Sequence, residues 1–175
     1  MKYILLIISL LMLNACGGGS SSSDDETNLN DPISGTEGFI FHNVRFDGKD
    51  YYDEEQVTVT EGARFEVQWV SPTSASYKID LYLSANGAAY SDNNKIVDLK
   101  CGSDSFSLCP NAVAEVQCEI NDNTLSCFSG SDFLGSKPFK DADLASLKLI
   151  IKGCDGFNYC DVKTFSLLIA ENTEG

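Results

Sequence analysis

The residues of this chain best equipped for chemistry are its cysteines, its single histidine, His42, and an acid-rich stretch at residues 47–55. Beyond Cys16, the cysteines are Cys101, Cys109, Cys118, Cys127, Cys154 and Cys160, separated by 7, 8, 8, 26 and 5 residues. There is no C-x2-C knuckle, and one histidine cannot complete a Cys2His2 set, so no structural zinc site is expected. Cysteine catalysis needs a thiolate beside a base, but His42 has no cysteine or serine partner in a recognised motif. Neither G-x-S-x-G nor H-E-x-x-H occurs. An even cysteine count in an exported chain suits three disulfides instead. Acid–base pairs arise by chance among 26 acids and single out no site. The chain is expected not to be an enzyme and to use no cofactor.

The acid-rich stretch reads Asp47, Gly48, Lys49, Asp50, Tyr51, Tyr52, Asp53, Glu54, Glu55. Calcium takes six to eight oxygens, yet this spacing is not that of an EF-hand loop and lacks its glycine. A solvated loop blunting a sheet edge is the reading adopted, with no metal bound. Two aromatic pairs suit contact with a protein or a sugar: Tyr51 with Tyr52, and Phe157 with Tyr159 between Cys154 and Cys160. The second pair is the candidate contact loop, because a disulfide would hold its base.

The clearest cysteine pairing comes from turn chemistry. Asp122 and Asn123 tolerate positive φ and can form a two-residue primed turn. Asn121 then faces Thr124, Ile120 faces Leu125, Glu119 faces Ser126 and Cys118 faces Cys127. Val116, Cys118, Ile120, Leu125 and Cys127 share one apolar face; Gln117, Glu119 and Ser126 share a polar one. A slip of one residue would destroy this agreement. Cys118 and Cys127 form a non-hydrogen-bonded pair with Cα atoms about 4.5 Å apart, within disulfide reach. A longer turn over residues 121–123 would send either cysteine elsewhere. Neighbour logic also pairs Cys101 with Cys109 and Cys154 with Cys160.

The elements that must position these residues alternate with period two. Phe65, Val67 and Trp69 oppose Arg64, Glu66 and Gln68; Tyr77, Ile79, Leu81 and Leu83 oppose Lys78, Asp80 and Tyr82; Leu147, Leu149 and Ile151 oppose Lys148 and Lys152. Weaker strands are expected at 39–46, 56–60, 95–100, 113–120, 124–128 and 162–170. Nine strands punctuated by Gly, Asn, Asp and Ser predict an all-β domain, an antiparallel β-sandwich held by disulfides. The run Val67, Gln68, Trp69, Val70, Ser71, Pro72, followed by Tyr77, Lys78, Ile79, Asp80, Leu81, resembles strands B and C of fibronectin-III-like and immunoglobulin-like domains. The resemblance implies that Trp69 packs in the core and that residues 147–153 and 162–170 are strands F and G. A tyrosine corner and the antibody-type Cys–Trp–Cys set are missing, and residues 101–127 stand where the simple fold has a short connection.

The N-terminus carries Lys2 and then a ten-residue apolar run, 4–13, broken only by Ser9. Crossing a bilayer takes about twenty apolar residues, so this length suits a signal-peptide core. It ends Leu13, Asn14, Ala15, Cys16, which resembles the lipobox of bacterial lipoproteins. The resemblance implies cleavage before Cys16 and fatty acylation (palmitate among the chains) of that cysteine. Gly17 in place of Asp implies sorting to the outer membrane, on a face the sequence leaves open. Residues 1–15 are thus read as signal peptide, 16–36 as a lipidated Gly/Ser/Asp tether, and 37–175 as one sandwich domain. The formal net charge of −14 disfavours nucleic acid and anionic lipid as partners. The expected function is a binding module on a lipid anchor, recognising a protein or a glycan. The alternative is a structural accessory of an envelope assembly.

Overall fold

The computed structural model describes residues 38–71, 76–85, 87, 89–101 and 113–172. Cys16 and Cys109 lie outside them. Eleven strands are described: β1 (Asn43–Phe46), β2 (Lys49–Tyr51), β3 (Gln56–Thr60), β4 (Arg64–Val70), β5 (Tyr77–Ser84), β6 (Lys95–Cys101), β7 (Val113–Asn121), β8 (Thr124–Ser129), β9 (Asp132–Pro138), β10 (Lys148–Asp155) and β11 (Cys160–Ala170). Two 3-10 turns, Asp92–Asn94 and Asp141–Ser146, precede β6 and β10.

The strands form two sheets, ordered β2-β1-β4-β7-β8-β9 and β3-β11-β10-β5-β6. All pairings are antiparallel except β3 with β11, which is parallel. This is an antiparallel β-sandwich of immunoglobulin-like layout. Strands β4 and β5 take the B and C places in opposite sheets, and β10 and β11 follow as F and G beside C. The departure lies beyond β4, where β7, β8 and β9 form a meander. The outer neighbour of β7 therefore follows it in the chain rather than preceding it.

Alternation sets the facing. Phe65, Val67 and Trp69 point into the core, and Trp69 is fully buried. Facing them from the other sheet are Ile79, Leu81, Leu149, Ile151 and Phe165. The β7–β8 hairpin turns on Asp122 and Asn123, at φ 47° and 56°, and pairs Ile120 with Leu125 and Cys118 with Cys127. Both left-handed residues give the primed turn, which matches strand twist.

Several details differ from the sequence reading. The first strand begins at Asn43, not Phe39: the His42 N–H still donates to the Val70 carbonyl at 2.8 Å, but the Phe41 N–H turns to the Asp161 carboxylate at 2.9 Å instead of a neighbouring strand. Residues 47–55 are more than a loop: Asp47 and Gly48, at φ 50° and 75°, make a second primed turn into β2. The outward-facing residues of β5 are covered too, Asp80 being 6% and Tyr82 3% exposed. The segment leading to β6 folds back over them and lays Tyr90 on Tyr82, ring centroids 5.4 Å apart. Strand β9 was not anticipated; Gly135 and Pro138 depress its propensity, and an edge strand tolerates both.

Candidate binding surface

The β10–β11 hairpin is closed by a disulfide and by hydrogen bonds to one carboxylate. Cys154 stands opposite Cys160 and is bonded to it, with Cα atoms 4.1 Å apart. Inside this clamp the Asp155 carboxylate accepts hydrogen bonds from the backbone N–H groups of Phe157 and Tyr159, each at 2.9 Å through Oδ1. The Asp155 N–H donates to the Tyr159 carbonyl at 3.0 Å, and the Asn158 N–H to the Asp155 carbonyl at 3.2 Å. Asn158 sits at φ 64°, which asparagine tolerates better than most residues. An Asp–Gly start therefore does more than reverse the chain: its carboxylate gathers the amide groups of the tip.

With the backbone so occupied, both aromatic rings are left in water. Phe157 is 84% exposed and Tyr159 65%. Neither packs back over the domain, although a ring of this size gains about 1.5–3 kcal/mol when buried. The segment entering the domain passes beside the loop. A Cβ on Gly38 would lie 2.3 Å from the Tyr159 Cβ, so only glycine fits there.

The other described disulfide-bonded cysteines are buried. Cys118 and Cys127 are bonded on the buried face, Cα atoms 4.1 Å apart, and both are inaccessible. Cys101 is also disulfide-bonded and buried; its expected partner, Cys109, lies outside the described residues. All five described cysteines are thus oxidised and offer no thiolate.

A groove of about 690 Å³ opens beside the β1–β2 hairpin, lined by residues 41–45, 50–53 and Lys163. Asp50 Oδ1 accepts from Arg45 Nε at 2.7 Å and Asn43 Nδ2 at 2.9 Å. Asp53 Oδ1 accepts from the Thr164 N–H at 2.7 Å. The two adjacent tyrosines divide: Tyr51 packs edge-on against Phe46, while Tyr52 stands 78% exposed on the rim. No group of three or more His, Cys, Asp or Glu side chains placed to hold a metal occurs among the described residues.

A third cluster covers the outside of β5. Tyr82 donates to Asp80 Oδ2 at 3.0 Å, and the Lys78 and Lys95 ammonium groups lie 3.2 and 3.4 Å from Asp80 Oδ1. Burial pushes the Tyr82 hydroxyl well above its ordinary value, and the Asp80 carboxylate pushes it the same way. For Lys78, burial works against the charge, but hydrogen bonds to Asp98 and Asp80 outweigh it and raise the group. Every member is engaged with another, so the cluster seals a sheet face and offers no free nucleophile.

Sequence reasoning singled out the Phe157 and Tyr159 loop from its flanking cysteines, and Tyr52 only as one of an adjacent pair with Tyr51. It missed the groove, whose walls lie more than 100 residues apart in the chain and meet only through strand order. It also placed Asp80 and Tyr82 on an open face, since nothing in β5 reveals that a later segment will cover it.

No protein-family model matches the chain, and no curated protein does. Solved structures similar to this chain include a chimeric titin Z1Z2 functionalised with a KLER peptide from decorin, at 15% identity and TM-score 0.38, covering 79% of this chain and 99% of that one. Titin domains Z1Z2 in complex with telethonin match at 15% identity and TM-score 0.37, covering 79% of this chain and 50% of that one.

Proposed function

We propose that this chain is a lipid-anchored envelope protein whose sandwich recognises a protein partner through the β10–β11 loop. The signal and tether readings supply the anchor: acylation at Cys16, a stalk to residue 36, and one domain from residue 37. The observation that carries the recognition role is the pair of exposed rings, Phe157 and Tyr159, on a loop closed by a disulfide and by the Asp155 carboxylate. Aromatic anchors supply much of the energy of protein interfaces, and a preorganised loop loses little entropy on docking. The sandwich behind it is a rigid platform, as in other loop-based binders.

Photo-crosslinking in cells tests this. A benzophenone amino acid at position 157 is expected to give a discrete adduct, absent when the same group replaces exposed Lys100 or Asp132. Equal yields at all three positions would remove the loop from consideration. Protease shaving of intact cells locates the domain: release indicates display at the surface. Full protection with co-purification of a membrane complex would instead indicate the accessory role.

A further inference from the structure

We infer that the groove beside the β1–β2 hairpin is a second binding site, separate from the aromatic loop, and that it takes a neutral saccharide. The groove lies where an edge strand stops short in each sheet. Strand β3 pairs only with Ser166 to Ala170, so the first half of β11 has β10 on one side and no strand on the other among the described residues. Strand β2 covers β1 only from Val44 to Phe46, leaving Asn43 and the residues before it uncovered. The resulting opening, about 690 Å³, lies within the range of small-ligand sites.

The lining fits a sugar better than a peptide. A peptide strand would need the open edge of β11, but Asp53 accepts the Thr164 N–H and the Glu54 N–H donates to the Thr164 carbonyl at 2.7 Å. The main-chain groups at the middle of that edge are already occupied. What remains is a set of side chains. A pyranose ring presents an apolar C–H face and a belt of hydroxyls that both donate and accept. Tyr52, mostly exposed on the rim, offers a flat surface for the first. Asp50 and Arg45, locked together at 2.7 Å, offer planar acceptors and donors for the second. Their mutual fixation means they need not be ordered when a ligand arrives.

Charge selects neutral sugars. Arg45 and Lys163 balance Asp50 and Asp53 around the groove. The chain as a whole carries −14, which repels an anionic polymer. The site shares no residue with the Phe157 and Tyr159 loop, so either can fail alone.

Affinity electrophoresis of the detergent-solubilised full chain, through gels containing neutral polysaccharides (β-glucan, starch, galactomannan and glycol chitin), tests the inference. Retardation by at least one polymer is expected. Calorimetry with the matching oligosaccharide should show binding weakened at least tenfold by Tyr52→Ala and unchanged by Phe157→Ala. Because Tyr52 is exposed, its replacement leaves the core intact, and an unchanged melting temperature verifies this. Retardation by none of the polymers would overturn the site. So would retardation that Tyr52→Ala does not reduce, or binding confined to anionic polymers such as alginate.

Discussion

Gly153 of β10 and Phe39 of the entry segment occupy the same space. A Cβ on Gly153 would lie 1.9 Å from Phe39 Cε1 and 2.4 Å from Cζ. The missing side chain lets the Phe39 ring approach the strand backbone closely, where it also meets Phe41 at 4.8 Å and Tyr77 at 4.9 Å between centroids. Glycine weakens a strand interior and is retained where another group must approach closely. This contact fastens the entry segment across the end of the sandwich and so fixes Gly38 under Tyr159.

Gly153→Ala should therefore destabilise the domain by about 1–3 kcal/mol through overpacking. Gly156→Ala, which meets nothing within 4 Å, should have little effect and serves as the control. Urea unfolding of both variants measures the difference. Adding Phe39→Leu to Gly153→Ala should recover part of the loss, because the two positions share one volume. Equal stability of the two single variants would show that the ring moves aside freely.

Trp69 is the second test. It is fully buried between Phe65 and Val67 on one side and the facing sheet on the other. Trp69→Ala should cost about 3–5 kcal/mol, a large share of the stability of a domain this size. Thermal melting monitored by circular dichroism would show it. An unchanged midpoint would mean that the strand facing is wrong.

How much of this was legible in the sequence depended on where each force acts. Local signals were read well: the period-two pattern of β4, and the Asp122 and Asn123 turn that sets the β7–β8 register. The strands β2 and β9 escaped because their pairing comes from a turn and a neighbour rather than from their own residues. Lys49, Asp50 and Tyr51 show no apolar alternation, yet the turn at Asp47 and Gly48 brings them onto β1. Long-range coverage was invisible. Gly153 carries no mark that Phe39, over 110 residues earlier, will lie on it. The same holds for the groove, which depends on β3 pairing with only part of β11.

The buried cluster on β5 makes the last prediction. Tyr82 donates to Asp80, and Lys78 and Lys95 approach the same carboxylate. Burial and the carboxylate raise Tyr82 above its ordinary value of 10, and the pairing with Asp98 and Asp80 raises Lys78 despite burial. Tyr77, raised by burial with the Trp69 indole offsetting part of the effect, adds to the same trend. A group that holds its proton more tightly when folded stabilises the fold fully below its unfolded pKa, then loses that contribution as pH climbs toward the folded value. The unfolded chain releases these protons near pH 10 to 10.5, so the contribution of these groups should be constant below that range and fall above it. Tyr82→Phe removes the Tyr82 share. The variant should lose the hydrogen bond to Asp80 at pH 8, costing about 1.5–3 kcal/mol for a bond to a charged group. Between pH 10 and 11.5 its stability should decline less steeply than that of the wild type, so the two curves converge. Urea unfolding at half-unit pH steps measures both slopes. Parallel curves across that range would show that the Tyr82 hydroxyl is no harder to ionise in the folded chain than in the unfolded one.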